Sequence, residues 1–307
     1  MIEINKIYQE PCLNTVARMD DNSIDCVITS PPYWQLRDYG YEGQWGLEPT
    51  YQEYLENLWS LMDAIYPKLK DGGTVWVNLG DSYSSNRWSD TKSGTGKSGT
   101  YADILTNKQI SEPNKCLLLI PHRFAIGCIS RGWILRNDII WAKRNGMPES
   151  VTDRFSKKHE YFFFIVKSEK YYFDLDAIRD KPISDNVIRD KSKESFGIGT
   201  STFSEGARNT NNPLGKNPGS VSDFWDIPTK PSSFKHYASY NDSLLVKPIL
   251  AGCPKGGIIY DPFMGTGSTA EAAIRAGRRF IGSEMSEDYV KIAEERLAPY
   301  LRQLTLF

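Results

Sequence analysis

The chain has 307 residues, of which 40% are hydrophobic and 24% charged, and its formal net charge is −1. This composition is that of a folded globular protein large enough for an enzyme; it indicates neither a disordered nor a membrane class and gives no global electrostatic pull toward nucleic acid. Five scattered cysteines, Cys12, Cys26, Cys116, Cys128 and Cys253, form no C-x-x-C pair, and the start "MIEINKIYQE" has neither a basic nor an apolar leader region, so a cytoplasmic protein that is neither exported nor inserted in a membrane is expected.

In chain order, "IDCVITS" (24–30) reads as a buried strand that stops at Ser30-Pro31-Pro32-Tyr33, because adjacent prolines continue neither a helix nor a central strand. Residues 50–70 carry apolar side chains at helical spacing, and "GGTVWVNLG" (72–80) reads as a turn followed by a strand. Together they form a βαβ unit and imply a parallel sheet. Residues 84–115 are polar and aperiodic, a long loop. A helix over 121–132 and strands over 133–143 and 159–168 follow, and residues 177–235 are again irregular, rich in Asn, Gly, Ser, Pro and charge. The last part resumes order with a helix over 243–253, the strand "GGIIYDPF", a helix over 268–276, the strand "RRFIGSE" and a final helix from Ser286. The chain thus divides into 1–176, an insertion over 177–235, and 236–307, with the outer parts sharing one doubly wound α/β domain.

The segment 256–284 has the order of a mononucleotide-binding unit: strand, glycine-rich turn, helix, strand, and Glu284 at the second strand's end. Gly265 and Gly267 let backbone approach a ligand, and Glu284 can accept ribose hydroxyls. A nicotinamide dinucleotide satisfies the same loose glycine pattern. Charge separates the two readings, because a dinucleotide puts pyrophosphate over this turn, where Asp261 at the strand tip repels it. S-adenosylmethionine brings an ammonium and a sulfonium there instead, and suits Asp261.

The segments "TSPPYW", "LKDGGTVWVNLGDSY", "RNDIIWAKRNGMPES", "HEYFFFIVKSEKYYFD", "HYASY" and "DPFMGTGST" resemble the β-class amino DNA methyltransferases. In that permuted class the catalytic motif precedes the cofactor motif, with target recognition between them; the chain departs from it at "SYND" after His236. The resemblance implies an S-adenosylmethionine-dependent enzyme acting on double-stranded DNA, with Asp261, Phe263, Gly265, Gly267, Thr269 and Glu284 at the cofactor and Ser30, Pro31, Pro32 and Tyr33 at the target base. It implies recognition of the target sequence by 177–235, and its Ser-Pro-Pro-Tyr favours cytosine N4 as acceptor, with adenine N6 the alternative. A nicotinamide-dependent oxidoreductase and a non-catalytic DNA-binding module are the readings from other classes.

Chemically, an exocyclic base amine is a poor nucleophile hidden inside the duplex. The Pro31 carbonyl and the Ser30 hydroxyl can hold its two protons and turn its lone pair toward a methyl donor, while Tyr33 and Trp34 can stack on the extruded base. Amine methylation needs no covalent thiol adduct, so Cys26 and Cys253 read as core residues; His122, His159 and His236 are too scattered for a metal site. Arg136, Lys143, Arg144, Arg154, Lys157 and Lys158 are candidate phosphate contacts, and Arg189, Lys191, Lys193, Arg208 and Lys216 carry the chemistry for bases and backbone.

Overall fold

The computed structural model describes residues 2–84, 112–146, 149–179, 222–229 and 242–304. The expected loop over most of 84–115, most of the 177–235 insertion with Arg189, Lys191, Lys193, Arg208 and Lys216, and "HYASY" with His236 lie outside the described residues.

Among the described residues eight strands build one sheet: β1 (Lys6–Tyr8), β2 (Ile24–Thr29), β3 (Leu69–Leu79), β4 (Ile134–Ala142), β5 (His159–Val166), β6 (Phe224–Asp226), β7 (Ile258–Asp261) and β8 (Arg279–Ser283). Their spatial order is β1-β8-β7-β2-β3-β5-β4-β6, and β5 alone runs against its neighbours. The helices are α1 (Cys12–Ala17), α2 (Tyr51–Ile65), α3 (Ile120–Ser130), α4 (Asp242–Gly252), α5 (Ser268–Arg275) and α6 (Glu287–Leu304). Among the described residues no helix is long and apolar enough to cross a membrane.

Strand β2 is buried along its whole length because both of its neighbours are parallel strands and helices cover both faces. Alternation then sorts the core in two. Val27, Val75, Val77, Phe163 and Tyr260 face the layer of α1, α2 and α3, whereas Cys26, Trp76, Phe162, Phe164 and Ile259 face α4, α5 and α6. The run Phe162-Phe163-Phe164 therefore serves both cores. Helix α2 starts where the Thr50 side chain accepts the Glu53 N–H, buries Tyr51, Tyr54, Leu55, Leu58, Leu61, Met62 and Ile65 on one face, and ends just before Pro67.

Two expectations change. The turn expected at Gly72-Gly73 is an irregularity inside one continuous strand, β3: the register with β2 shifts between Ile24 and Cys26, and a Cβ on Gly73 would lie 2.6 Å from the Leu69 side chain. The region 177–235 is not wholly irregular either, since Phe224–Asp226 adds β6 to the sheet edge and buries Trp225 against Phe162.

The site follows from the topology. Strand β2 connects through α2 to β3 on one side, while its neighbour β7 connects through α5 to β8 on the other. Ligands bind in open α/β sheets at such a switch point, beyond the carboxyl ends of the strands. The pairing Val27↔Tyr260 brings the carboxyl ends of both halves together, Thr29-Ser30 beside Asp261, although about 230 residues separate them in sequence.

Candidate active site

Asp261, at the tip of β7, is 3% exposed. Its Oδ1 accepts the Phe263 N–H at 3.0 Å and its Oδ2 the Thr269 hydroxyl at 2.6 Å. Glu284, at the tip of β8, is 7% exposed and accepts the N–H of Gly265 and of Ser286, both at 2.8 Å. Each carboxylate thus fixes its own turn and retains further lone pairs. Burial pushes the Asp261 carboxyl up to about 6, against the relief that hydrogen bonds from Thr269, the Phe263 N–H and Thr29 give. Burial also pushes Glu284 up, with the charge of Asp261 adding to it. Among the described residues neither carboxylate is ion-paired with a lysine or arginine, so two desolvated acids stand without a countercharge, Glu284 in the lining of a cleft and Asp261 directly before the lining residues Pro262 and Phe263.

That cleft is lined by Glu10, Pro32, Tyr41, Trp45, Phe263 and Glu284 among others. Trp45 and Phe263, 5.3 Å apart between ring centroids, supply an apolar wall. Gly265 has φ +56 and a Cβ there would meet nothing within 4 Å, so the turn leaves open space over its backbone. Gly267, at φ +82, starts α5, and its own restriction is packing: a Cβ would stand 3.0 Å from the Ala293 Cβ of α6. Thr269, expected at the cofactor, is 2% exposed and turned to Asp261, which it orients.

Across the switch point, Ser30 and Tyr33 follow β2. Ser30 Oγ donates to Asn78 Oδ1 at 3.4 Å. The Tyr33 hydroxyl lies 2.7 Å from Glu160 Oε2 and 3.0 Å from the same Asn78 oxygen. Asn78, on β3 and 2% exposed, is itself held by donating to the Tyr161 carbonyl at 2.9 Å. Glu160, on β5, is ion-paired with Lys143. With its proton directed to Asn78, the Ser30 hydroxyl has its lone pairs left to accept from something else. The Pro32 carbonyl, by contrast, is already taken by the Tyr54 hydroxyl at 2.8 Å, which locks the proline turn onto α2.

Trp34, read as a second stacking ring, is in the core: it is 1% exposed, donates to the Glu48 carbonyl at 2.9 Å and packs edge-on against Tyr51. The two prolines turn the chain so that only the first of the two aromatics, the half-buried Tyr33, stays at the edge. Its ring lies over Gly80, where a Cβ would come within 2.6 Å of ring carbon Cε2. Gly80→Ala is therefore expected to displace Tyr33 and lower turnover about tenfold or more through misplacement, with the cofactor affinity of the same variant, measured by calorimetry, unchanged.

The basic candidates separate. Arg136 sits near the start of β4, away from the carboxyl edge, with its Nε donating to the Tyr171 hydroxyl at 2.9 Å. Lys143, Arg144, Arg154, Lys157 and Lys158 all fall on the connection from β4 to β5, which is at that edge. Cys26 and Cys253 are fully buried; burial raises the Cys26 thiol strongly and pushes Cys253 up to about 12. Among the described residues no group of three or more His, Cys, Asp or Glu is arranged to hold a metal ion. Sequence reasoning missed Asn78 and Glu160 as parts of the site. Both stand in quoted motifs, "NLGDSY" and "HEYFFF", but their partners are 45 and 127 residues away and only the sheet order joins them.

A family model of the N6/N4 methyltransferase type, described as DNA methylase, matches residues 24–295. Type II methyltransferase M.SmaI of Serratia marcescens is 35% identical over 294 residues, covering 95% of this chain and 90% of the relative. Among solved structures, PvuII DNA methyltransferase (cytosine-N4-specific) has a TM-score of 0.63 at 16% identity, covering 98% of this chain and 92% of its own. A putative DNA modification methylase from Thermus thermophilus, solved in complex with S-adenosyl-L-methionine, has a TM-score of 0.57 at 20% identity, covering 96% of this chain and 95% of its own.

Proposed function

The chain belongs to the N6/N4 DNA methylases, and on that premise we propose that Ser30, Pro31, Pro32 and Tyr33 hold an extruded base while the cleft between Asp261, Phe263, Gly265 and Glu284 holds the methyl donor. The protein is a site-specific, S-adenosylmethionine-dependent DNA methyltransferase, which removes the nicotinamide alternative. The observation that carries the assignment of residues is the meeting of two buried carboxylates, without a countercharge among the described residues, and the Ser-Pro-Pro-Tyr turn on one sheet edge.

The fit to the cofactor is electrostatic. Bound in the cleft, S-adenosylmethionine supplies an activated methyl group on a sulfonium. Asp261 balances the positive methionyl end, Glu284 accepts the ribose hydroxyls with the lone pairs its backbone bonds leave free, and Phe263 with Trp45 flanks the adenine. At the base, Ser30 Oγ and the Pro31 carbonyl accept the two amine protons, and Tyr33, tethered by Glu160 and Asn78, stacks on the ring. Each fixes geometry ahead of the reaction, where most of the rate advantage of such a transfer arises. Recognition of the target sequence belongs to the segment 177–235.

We take cytosine N4 as the acceptor, on the serine at position 30 of the Ser-Pro-Pro-Tyr motif; adenine N6 is the second reading. Incubating the purified chain with duplex DNA and methyl-labelled S-adenosylmethionine, then resolving the nucleosides, decides it: label in N4-methylcytosine supports the first and label in N6-methyladenine overturns it. Sequencing DNA from an expressing host gives the methylated motif.

The raised Asp261 carboxyl makes cofactor binding pH-dependent. Its value moves from 3.8 to about 6 on folding, so between those values the folded chain binds more protons than the unfolded one and stability falls as pH rises. By neutral pH the buried charge costs about 3 kcal/mol, and a cationic ligand offsets it. Thermal stabilisation by S-adenosylmethionine is therefore expected to grow from pH 5 to pH 7, with a proton released on binding below about pH 6; Asp261→Asn should flatten the profile. A pH-independent shift in the unaltered chain would contradict the assignment.

A further inference from the structure

Phe155 is 95% exposed, the most exposed of the large hydrophobic side chains among the described residues. It is not on a loose strand of chain. Glu149 Oε2 accepts Arg154 Nη1 at 2.6 Å and the Lys157 N–H at 3.2 Å, and Arg154 Nη1 also donates to the Phe155 carbonyl at 3.0 Å. The Arg154 guanidinium lies 4.1 Å from the Tyr83 ring centre, and Lys143 N donates to the Lys158 carbonyl at 2.7 Å. Arg154 and Lys157 on either side of Phe155 are thus tied to Glu149 within the same connection while the Phe155 ring is held in water.

The position gives this ring its partner. The connection from β4 to β5 is at the carboxyl edge, and the second residue of β5, five residues after Phe155, is the Glu160 that tethers Tyr33. The exposed ion pairs Lys115 with Asp153 and Arg144 with Asp226 are also on this edge; such surface pairs are weak and their cations can turn to phosphate at little cost.

We propose that Phe155 is the wedge that enters the duplex as the target base leaves it, filling the vacated stack beside the bases that remain. Extrusion loses two stacking contacts and one base pair, and an inserted apolar side chain offsets part of that loss, as wedge residues do in other DNA-bending proteins. The proposal rests on the methyltransferase reading. It concerns the step of opening the duplex, not methyl transfer.

The test uses two duplexes carrying the methylated motif, one fully paired and one with an abasic site opposite the target base, where little remains to be opened. Phe155→Ala, a change at an exposed position, should lower kcat/KM about tenfold or more on the paired duplex and stay within about twofold of the unaltered chain on the abasic one. Equal losses on both duplexes would make Phe155 a general DNA contact and overturn the wedge, as would no loss on either. An unaltered chain that methylates neither duplex overturns the methyltransferase reading itself, a result distinct from any difference between the two proteins.

Discussion

Asp261→Asn is expected to lower affinity for S-adenosylmethionine at pH 7 by at least about a hundredfold while leaving the unliganded chain as stable as before or more so. The two effects have opposite signs because the carboxylate is 3% exposed and has no cationic partner among the described residues. Asparagine keeps one oxygen for the Phe263 N–H, and its amide N–H can donate to the Thr269 hydroxyl oxygen in place of the bond the carboxylate accepts, so the turn stays tied. What it removes is the charge, whose burial costs about 3 kcal/mol at neutral pH. In the complex the same charge faces a cation in a low-dielectric site, and breaking such a pair costs about 3–5 kcal/mol. Calorimetric titration and thermal denaturation on the same preparations read both quantities. An asparagine variant that binds as tightly as the unaltered chain would show that Asp261 does no more than cap its turn.

The sheet was legible because its central strands are buried on both faces and their helices are amphipathic. Residues such as Val27, Val75 and Ile259 alternate with their neighbours between two cores, and that alternation with intervening helical periods can be read without coordinates. The edges were not legible. Strands β1 and β6 have three residues each, too few for a period, and owe their conformation to β8 and β4. Asp261 and Glu284 could be found because a glycine turn and a strand tip mark them locally. Asn78 and Glu160 could not, because an asparagine in a buried strand and a glutamate in an aromatic one have no local signature of their own. Trp34 was misplaced for a related reason: composition identifies an aromatic pair after two prolines, while the choice of which ring turns inward depends on Tyr51 and the Glu48 carbonyl, elements the turn meets only in three dimensions.

The remaining large effect should fall on chemistry and leave the cofactor untouched. In Ser30→Ala the amine loses one of its two acceptors, and removal of one preorganised hydrogen-bonding group costs about 10²–10³ in kcat. Tyr33→Ala removes the stacking surface, worth about 1–3 kcal/mol, and leaves Asn78 Oδ1 and Glu160 Oε2 without the hydroxyl that now lies between them. Tyr33→Phe separates these contributions: the ring stays over Gly80, but its tether is gone. Turnover in the phenylalanine variant is expected between that of the unaltered chain and that of alanine, and Glu160→Gln should stay closer to the unaltered chain, since glutamine keeps an acceptor for Tyr33 and gives up only the ion pair with Lys143. Kinetics on DNA and calorimetry with S-adenosylmethionine should diverge in every one of these variants, because none of the side chains replaced lines the cleft between Trp45, Phe263 and Glu284. Loss of cofactor affinity in Ser30→Ala equal to its loss of turnover would mean that the two halves of the switch point form one site and not two adjoining ones.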